Sequence, residues 1–400
     1  MKPFSKLKGF FVQNVSFTLT VRLSFCMKFS MGRAQSFLFL LLSVSFVISC
    51  DGLKMPKNIF ETSERVKYER SFSGADSLMV RWKARFSSAA ASQLKIKDGS
   101  SFIVNSNNTD LHALGYALNL EKGDLLIIET DLNDPGKRIF IDIIDQESGS
   151  EIMKSAVVKN NIFSKAVEKS GWHKVIIQPE IEYRGTFGMK IYTQPSIGFP
   201  VAGKGNRDVQ SFWGASRDKG ARSHEGVDIF AARGTPVVAV AGGSVIRTGN
   251  QGLGGKQVWL RDGVTGNSYY YAHLDSVMTE SGKQVKAGDT LGLVGNTGNA
   301  AGGAAHLHFG IYSTGGAVNP YPYIRKRAVP KSATVHIKSL SEKYIRAGTN
   351  IRSGAGTQFD LVSMVHSKTR VSVLASDGTW YHIKTSDNLE GFVIADRLEP

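Results

Sequence analysis

Residues 285–310 read VKAGDTLGLVGNTGNAAGGAAHLHFG. Thr290–Val294 is a short apolar run of strand type, and the glycines on either side suit tight corners. The stretch ends in His306-Leu307-His308. Positions i and i+2 of a strand face the same side, so these two imidazoles can converge on one point. The same texture extends upstream, with strand-type runs at Thr235–Ala241, Ser244–Thr248, Gln257–Arg261 and Ser268–Leu274. About 196–325 therefore reads as a central antiparallel β-barrel-like domain.

Working outward, the runs Tyr116–Leu120, Leu125–Glu129, Arg138–Ile144, Lys174–Pro179 and Gly188–Thr193 are split by turn residues such as Gly123-Asp124 and Asp134-Pro135-Gly136. Residues 76–195 thus predict an N-terminal β-sandwich, and the polar stretch 50–75 before it reads as a tether. On the other side, 326–333 reads as a linker, and 334–400 has the size of a small five-stranded barrel. There Asp377-Gly378 marks a turn, and Trp380-Tyr381-His382-Ile383-Lys384 alternates as a strand does. The expected fold class is mainly β.

Four hundred residues exceed one compact domain, and 42% hydrophobic with 21% charged residues excludes both a mostly disordered chain and a multi-span membrane protein. The net charge is 49 − 34 = +15; six basic residues and no acidic ones precede residue 50, leaving +9 beyond them. That balance favours a polyanionic surface such as wall polymer, anionic lipid or nucleic acid. No motif supports nucleic acid, and the chain's beginning argues against it. Residues 37–48 (FLFLLLSVSFVI) follow Arg33 and match the apolar core of an export signal spanning 1–49, too short for a membrane span of about 20 residues. Starts at Met27 or Met31 would give such a signal a more usual length. The two cysteines are Cys26 and Cys50, so the folded body holds no disulfide, no cysteine-ligated metal and no thiol nucleophile.

Four of the nine histidines fall between 224 and 308, in Ser223-His224-Glu225-Gly226-Val227-Asp228, Tyr271-Ala272-His273-Leu274 and His306-Leu307-His308-Phe309. On a regular strand Tyr269, Tyr271 and His273 would share one face. Together the clusters offer three imidazoles and a carboxylate of the kind zinc prefers, with one histidine to spare. The helical metalloprotease motif does not start at His224-Glu225, because position 228 is Asp and Gly226 weakens a helix. His112, His173, His336, His366 and His382 are isolated and read as structural or exposed.

His224-x-x-x-Asp228, His273 within YAHL and His306-x-His308 within HLHFG resemble the lysostaphin-type zinc metallopeptidases. Those enzymes are endopeptidases that cut the peptide part of bacterial peptidoglycan. The surrounding text agrees: FAARGTPVVAVAGGSVI at 230–246, VKAGDTLGLVGNTGNA at 285–300 and GGAVNPYPYI at 315–324. The resemblance implies one Zn2+ ion held by His224, Asp228 and His308, with His273 and His306 as catalytic histidines beside it. It also implies water activated at the metal as nucleophile, and it assigns Glu225 no role. All five positions are filled, which favours an enzyme over a non-catalytic wall-binding scaffold or activator of wall amidases. Residues 350–357 (NIRSGAGT) and 371–398 resemble the bacterial SH3-like domain, which implies binding to peptidoglycan, with Trp380 either a ligand contact or a packing residue. Val47-Ile48-Ser49-Cys50 resembles a bacterial lipoprotein box. It implies lipidation of Cys50 and a membrane anchor in the cell envelope, where Asp51 favours inner-membrane retention in some Gram-negative bacteria.

Overall fold

In the computed structural model, which describes residues 63–107, 112–132, 136–146, 152–158, 161–334 and 343–400, the strand Ile139–Asp145 is buried at every position. A strand with one face in water would alternate; this one is covered on both faces. Its sheet runs Leu114–Leu120, Gly171–Pro179, Ile139–Asp145, Ile152–Val157, antiparallel throughout. Ile141, Ile143, Val175 and Ile177 pack against Phe102, Ile128, Phe187 and Ile191 of a facing sheet. That sheet contains Ser100–Asn105, Thr186–Pro195, Asp124–Thr130 and Ile162–Ala166. The pair is the expected β-sandwich. On the other face, Phe140 and Ile144 pack under two helices, Glu64–Ser71 and Asp76–Ala91, through Tyr68, Trp82 and Ala89.

The polar stretch expected as a tether is thus corrected over its last part. From Ser63, whose hydroxyl accepts from the Val66 N–H at 3.3 Å, the chain is helical, with Glu64 in the first turn and Arg70 in the last. A buried charge docks this helix. Arg65 donates from Nε to Asp142 Oδ2 at 3.1 Å and from Nη1 to Gln178 Oε1 at 2.6 Å, and its guanidinium carbon lies 4.5 Å from the Trp82 ring centroid. A segment anchored by an ion pair lacks the apolar stripe that composition detects. Residues 1–62, with the expected export signal, its alternative starts and Cys50, lie outside the described residues. No helix among the described residues is long and apolar enough to cross a membrane.

The C-terminal SH3-like region builds a core of Ile345, Ile351, Val371, Val373, Ile383 and Val393. It is joined to the sandwich. Its strand Thr369–Ser376 pairs antiparallel with Ser100–Asn105, matching Ile103 with Ser376 and Val104 with Ala375. Phe392 enters the sandwich core beside Phe102 and Tyr116, and the Tyr116 hydroxyl lies 3.0 Å from His382 Nδ1. The stretch expected as a linker is pinned as well: Arg327 reaches Asp124 at 2.7 Å and Asp98 at 3.1 Å.

Between these regions lies an antiparallel sheet in the order Gln284–Val285, Gly243–Asn250, Lys256–Asp262, Ser268–Ala272, His306–Ser313, Val227–Phe230, Val209–Ser211. Gly316–Val318 pairs with His306–Ser313. One face carries Val258, Leu260, Tyr269, Tyr271, Phe309 and Ile311 into a core shared with Val237, Leu291 and Val294 of a second, three-stranded sheet. The intervening residues face a groove.

Replacing Arg65 with alanine would strand the fully buried Asp142 carboxylate without its cation. Breaking a buried pair in this way costs about 3–5 kcal/mol. Urea unfolding of Arg65→Ala should show a correspondingly lower midpoint, and an unchanged midpoint would mean that this pair does not dock the helix.

Candidate metal centre

Strand register sets the donors of the groove. Asp228 stands directly opposite His308, and Phe230 opposite His306. On its other side His308 pairs with Ala272. His306 and His308 therefore share the groove face, as their spacing predicts. His224 precedes the strand and is held by backbone bonds, donating to Ala215 O at 2.9 Å and accepting from Gly214 N at 3.0 Å. The atoms His224 Nε2, Asp228 Oδ1 and His308 Nδ1 form a triangle with edges of 3.1, 3.0 and 3.0 Å.

That triangle fits a metal ion. Zinc with bonds of about 2.0–2.2 Å to tetrahedral ligands spaces its donors about 3.3–3.5 Å apart. His224 Nδ1 is 2.9 Å from the Phe212 carbonyl oxygen, so it carries the proton, and Nε2 turns a lone pair toward a carboxylate oxygen. Lone pairs this close repel unless a cation or a proton lies among them. Among the described residues this is the one such group of three or more His, Cys, Asp or Glu side chains.

Burial alone would raise the Asp228 carboxyl, but the two neighbouring imidazoles of His224 and His308 outweigh it and hold the group well below the usual carboxylate range. The second carboxylate oxygen accepts from Arg217 Nη2 at 2.5 Å, and the same nitrogen reaches Ser211 Oγ at 2.6 Å. Arg217 thereby keeps Oδ1 toward the imidazoles. It was not among the residues expected from sequence. It comes from the short hairpin Ser216–Arg217 with Arg222–Ser223, and no spacing marks that contact.

The expected continuous strand Ser268–Leu274 breaks at His273. With regular alternation His273 would follow Tyr269 and Tyr271, which are both fully buried in the core. Instead its backbone adopts φ +63°, and the strand ends at Ala272. The ring turns into the groove, 5.0 Å from the His306 ring and 5.9 Å from that of His308. A left-handed non-glycine residue costs roughly 1–3 kcal/mol. Bonds from His273 N to Gly254 O and from Nδ1 to Thr297 O, each 2.8 Å, hold it there. His306 similarly places Nδ1 2.9 Å from Ala304 O and stacks on Phe230 at 5.1 Å. In both rings Nε2 is left as the acceptor. Burial lowers the His273 pKa to about 4 and lowers that of His308 as well, so both are neutral at pH 7.

The groove has a volume of about 990 Å³, and its lining residues all lie between 211 and 312. Glu225 lines it, as do Trp259, Tyr270 and Tyr312, which strand alternation places beside the histidines. The other histidines named from sequence stand apart. His173 is buried against Gly171 O, His382 is buried against Tyr116, His366 is exposed, and His336 lies outside the described residues. Trp380 is half-buried and packs against the sandwich core.

Residues 222–320 match peptidase family M23, and residues 347–399 match the bacterial SH3 domain. The chain carries an M23 peptidase domain. The L-Ala--D-Glu endopeptidase of Bacillus subtilis (strain 168) is 34% identical to it over 139 residues, 32% of this chain and 42% of that protein. The uncharacterized lipoprotein YgeR of Escherichia coli (strain K12) is 35% identical over 105 residues, 25% of this chain and 39% of that protein. The solved catalytic domain of lysostaphin from Staphylococcus simulans is 32% identical, covering 28% of this chain and 89% of that one with a TM-score of 0.26. The chain spans less than half the length of these curated relatives.

Within the M23 domain, a β-carbon at Gly226 would stand 2.5 Å from His308 Cε1 and 2.7 Å from the Phe309 carbonyl oxygen. Gly226→Ala must therefore displace the His308 ring. Metal affinity is expected to fall about 10–100-fold, the range seen when the support of a ligand is lost. Metal per chain, measured by atomic absorption after dialysis, would show this; full affinity would remove Gly226 from the seating of His308.

Proposed function

We propose that the chain is a zinc-dependent endopeptidase that hydrolyses peptide bonds in the stem peptides or cross-bridges of peptidoglycan. The observation that carries this reading is the His224–Asp228–His308 triangle, which opens onto a groove holding two further imidazoles, His273 and His306. Structural zinc takes four protein ligands, whereas catalytic zinc takes three and keeps a position open. Zinc bound there supplies Lewis acidity toward a scissile carbonyl and lowers the pKa of bound water to about 7.

The remaining work falls to the protein's own groups. His273 and His306 both have Nδ1 committed to a backbone carbonyl, so their Nε2 atoms are left to accept the proton of the attacking water, to hydrogen-bond the developing oxyanion once protonated, and to pass the proton on to the departing amine. A neutral His273 is ready to accept. Arg217 holds the carboxylate ligand in place.

The substrate class is supported by the relatives of the M23 domain, one of which is named for an L-Ala–D-Glu bond, and by the SH3 domain. The positive charge of the chain beyond residue 50 suits an acidic wall polymer. The lipoprotein-type sequence at Cys50 and a lipoprotein among the relatives support an exported protein anchored to an envelope membrane. A wall-binding scaffold would need neither the metal ligands nor the paired imidazoles.

Digestion of purified peptidoglycan by the full chain, with and without a zinc chelator, tests the reading when the released fragments are weighed by mass spectrometry. Chelator-sensitive release of cut peptides is expected; a zinc-loaded chain that releases none overturns it. His308→Ala should lose both bound zinc and turnover. His273→Ala should keep its zinc and lose at least about 10²-fold in kcat, and near-normal turnover would remove its catalytic role.

A further inference from the structure

The three arginines lining the groove differ in their commitments. Arg217 is bound to Asp228, and Arg222 donates to Asp218 at 2.6 Å. Arg247 has neither a hydrogen bond nor a carboxylate partner among the described residues, and Glu225, the other groove carboxylate, makes no ion pair with it. Its guanidinium carbon lies 5.0 Å from the Trp259 ring centroid.

The backbone delivers it there. Strand Gly243–Asn250 pairs Val245 with Leu260 and then Arg247 with Trp259, so Ile246 and Arg247 together oppose one residue. Such a bulge re-aims side chains. Without it, Ile246 would stand opposite Trp259, and Arg247 would follow Val245 toward the core. With it, Arg247, Trp259, Tyr270 and Gly310 lie in register across adjacent strands. Ring contacts continue the row to the metal triangle: Trp259 to Tyr270 at 4.4 Å, and Tyr270 to His308 at 5.8 Å. Each residue of an extended peptide spans about 3.3 Å, so Arg247 is within a few residues of a bond lying over the triangle.

A guanidinium seated on an indole is pre-organised, and its edge still presents a fork of donors that matches a carboxylate. We propose that Arg247, carried on Trp259, is a specificity-determining residue that reads a free carboxylate on the bound peptide, so that the groove favours acidic stem peptides over their amidated forms. This rests on the peptidase reading for its choice of ligand.

The probes are a synthetic stem tetrapeptide with free carboxylates and its carboxamide counterpart. Their binding to the zinc-loaded full chain is followed by stopped-flow tryptophan fluorescence, read before turnover, and their cleavage by mass. The acidic peptide should bind about tenfold more tightly, the scale of one charge-assisted hydrogen bond, with the ratio shrinking as salt rises. Arg247→Gln should bring the ratio close to one. Arg247→Lys, which keeps the charge without the fork, should fall between. Arg247 is exposed, so unchanged thermal unfolding is expected for both variants. Equal affinities in the unsubstituted chain, or a ratio that survives Arg247→Gln, overturn the proposal. Discrimination in binding with neither peptide cut would leave Arg247 in its role and rule out a stem-peptide bond as the one hydrolysed; joined to no release from whole peptidoglycan, it would sink the peptidase reading. Cleavage of both with equal affinity would do the reverse.

Discussion

The antiparallel register between Val227–Phe230 and His306–Ser313 is the constraint on which the site depends, because it sets Asp228 opposite His308. Side chains alternate across a sheet, so a slip of one residue would turn the slipped strand over and send its ligand into the core. What prevents the slip is on the other face. Val227, Ile229, Leu307 and Phe309 are fully buried there, and a shifted register would bring that apolar surface into the groove. The polar triangle is thus held by the hydrophobic effect acting behind it.

Several local costs are accepted on top of that register. Two imidazoles and a carboxylate present lone pairs to one another at about 3 Å, an arrangement that a cation relieves. His273 holds a left-handed backbone. A bulge interrupts the strand that carries Arg247. All three departures from regular geometry line the same groove, where strained or irregular backbone re-aims side chains that a regular sheet would bury or misdirect.

The flanking regions build a separate core and leave the groove to the central domain. The sandwich and the SH3-like region share a sheet and interleave Tyr116, His382 and Phe392. Arg327 ties the connecting segment to Asp98 and Asp124. None of the described residues of either region is among those that line the groove.

Much of the site was legible in the sequence, since ligand identity is local chemistry. His306-x-His308 needed only the two-residue period of a strand, and the missing cysteines left His, Asp and Glu as ligands. The mainly β character likewise followed from short branched runs between turn residues. Other features depend on pairings between distant segments. Tyr269, Tyr271 and His273 share a sequence period, but the left-handed His273 sends its ring to the opposite face. Arg65 lay in a polar stretch, and the partner that docks it, Asp142, is 77 positions away. Arg217, the Val104–Ala375 pairing and the bulge before Arg247 are of the same kind. Residue type and short-range periodicity determined which groups can bind a metal and which fold class carries them. Register, bulges and buried ion pairs decided where those groups point, because they minimise the free energy of the packed chain rather than of any one segment.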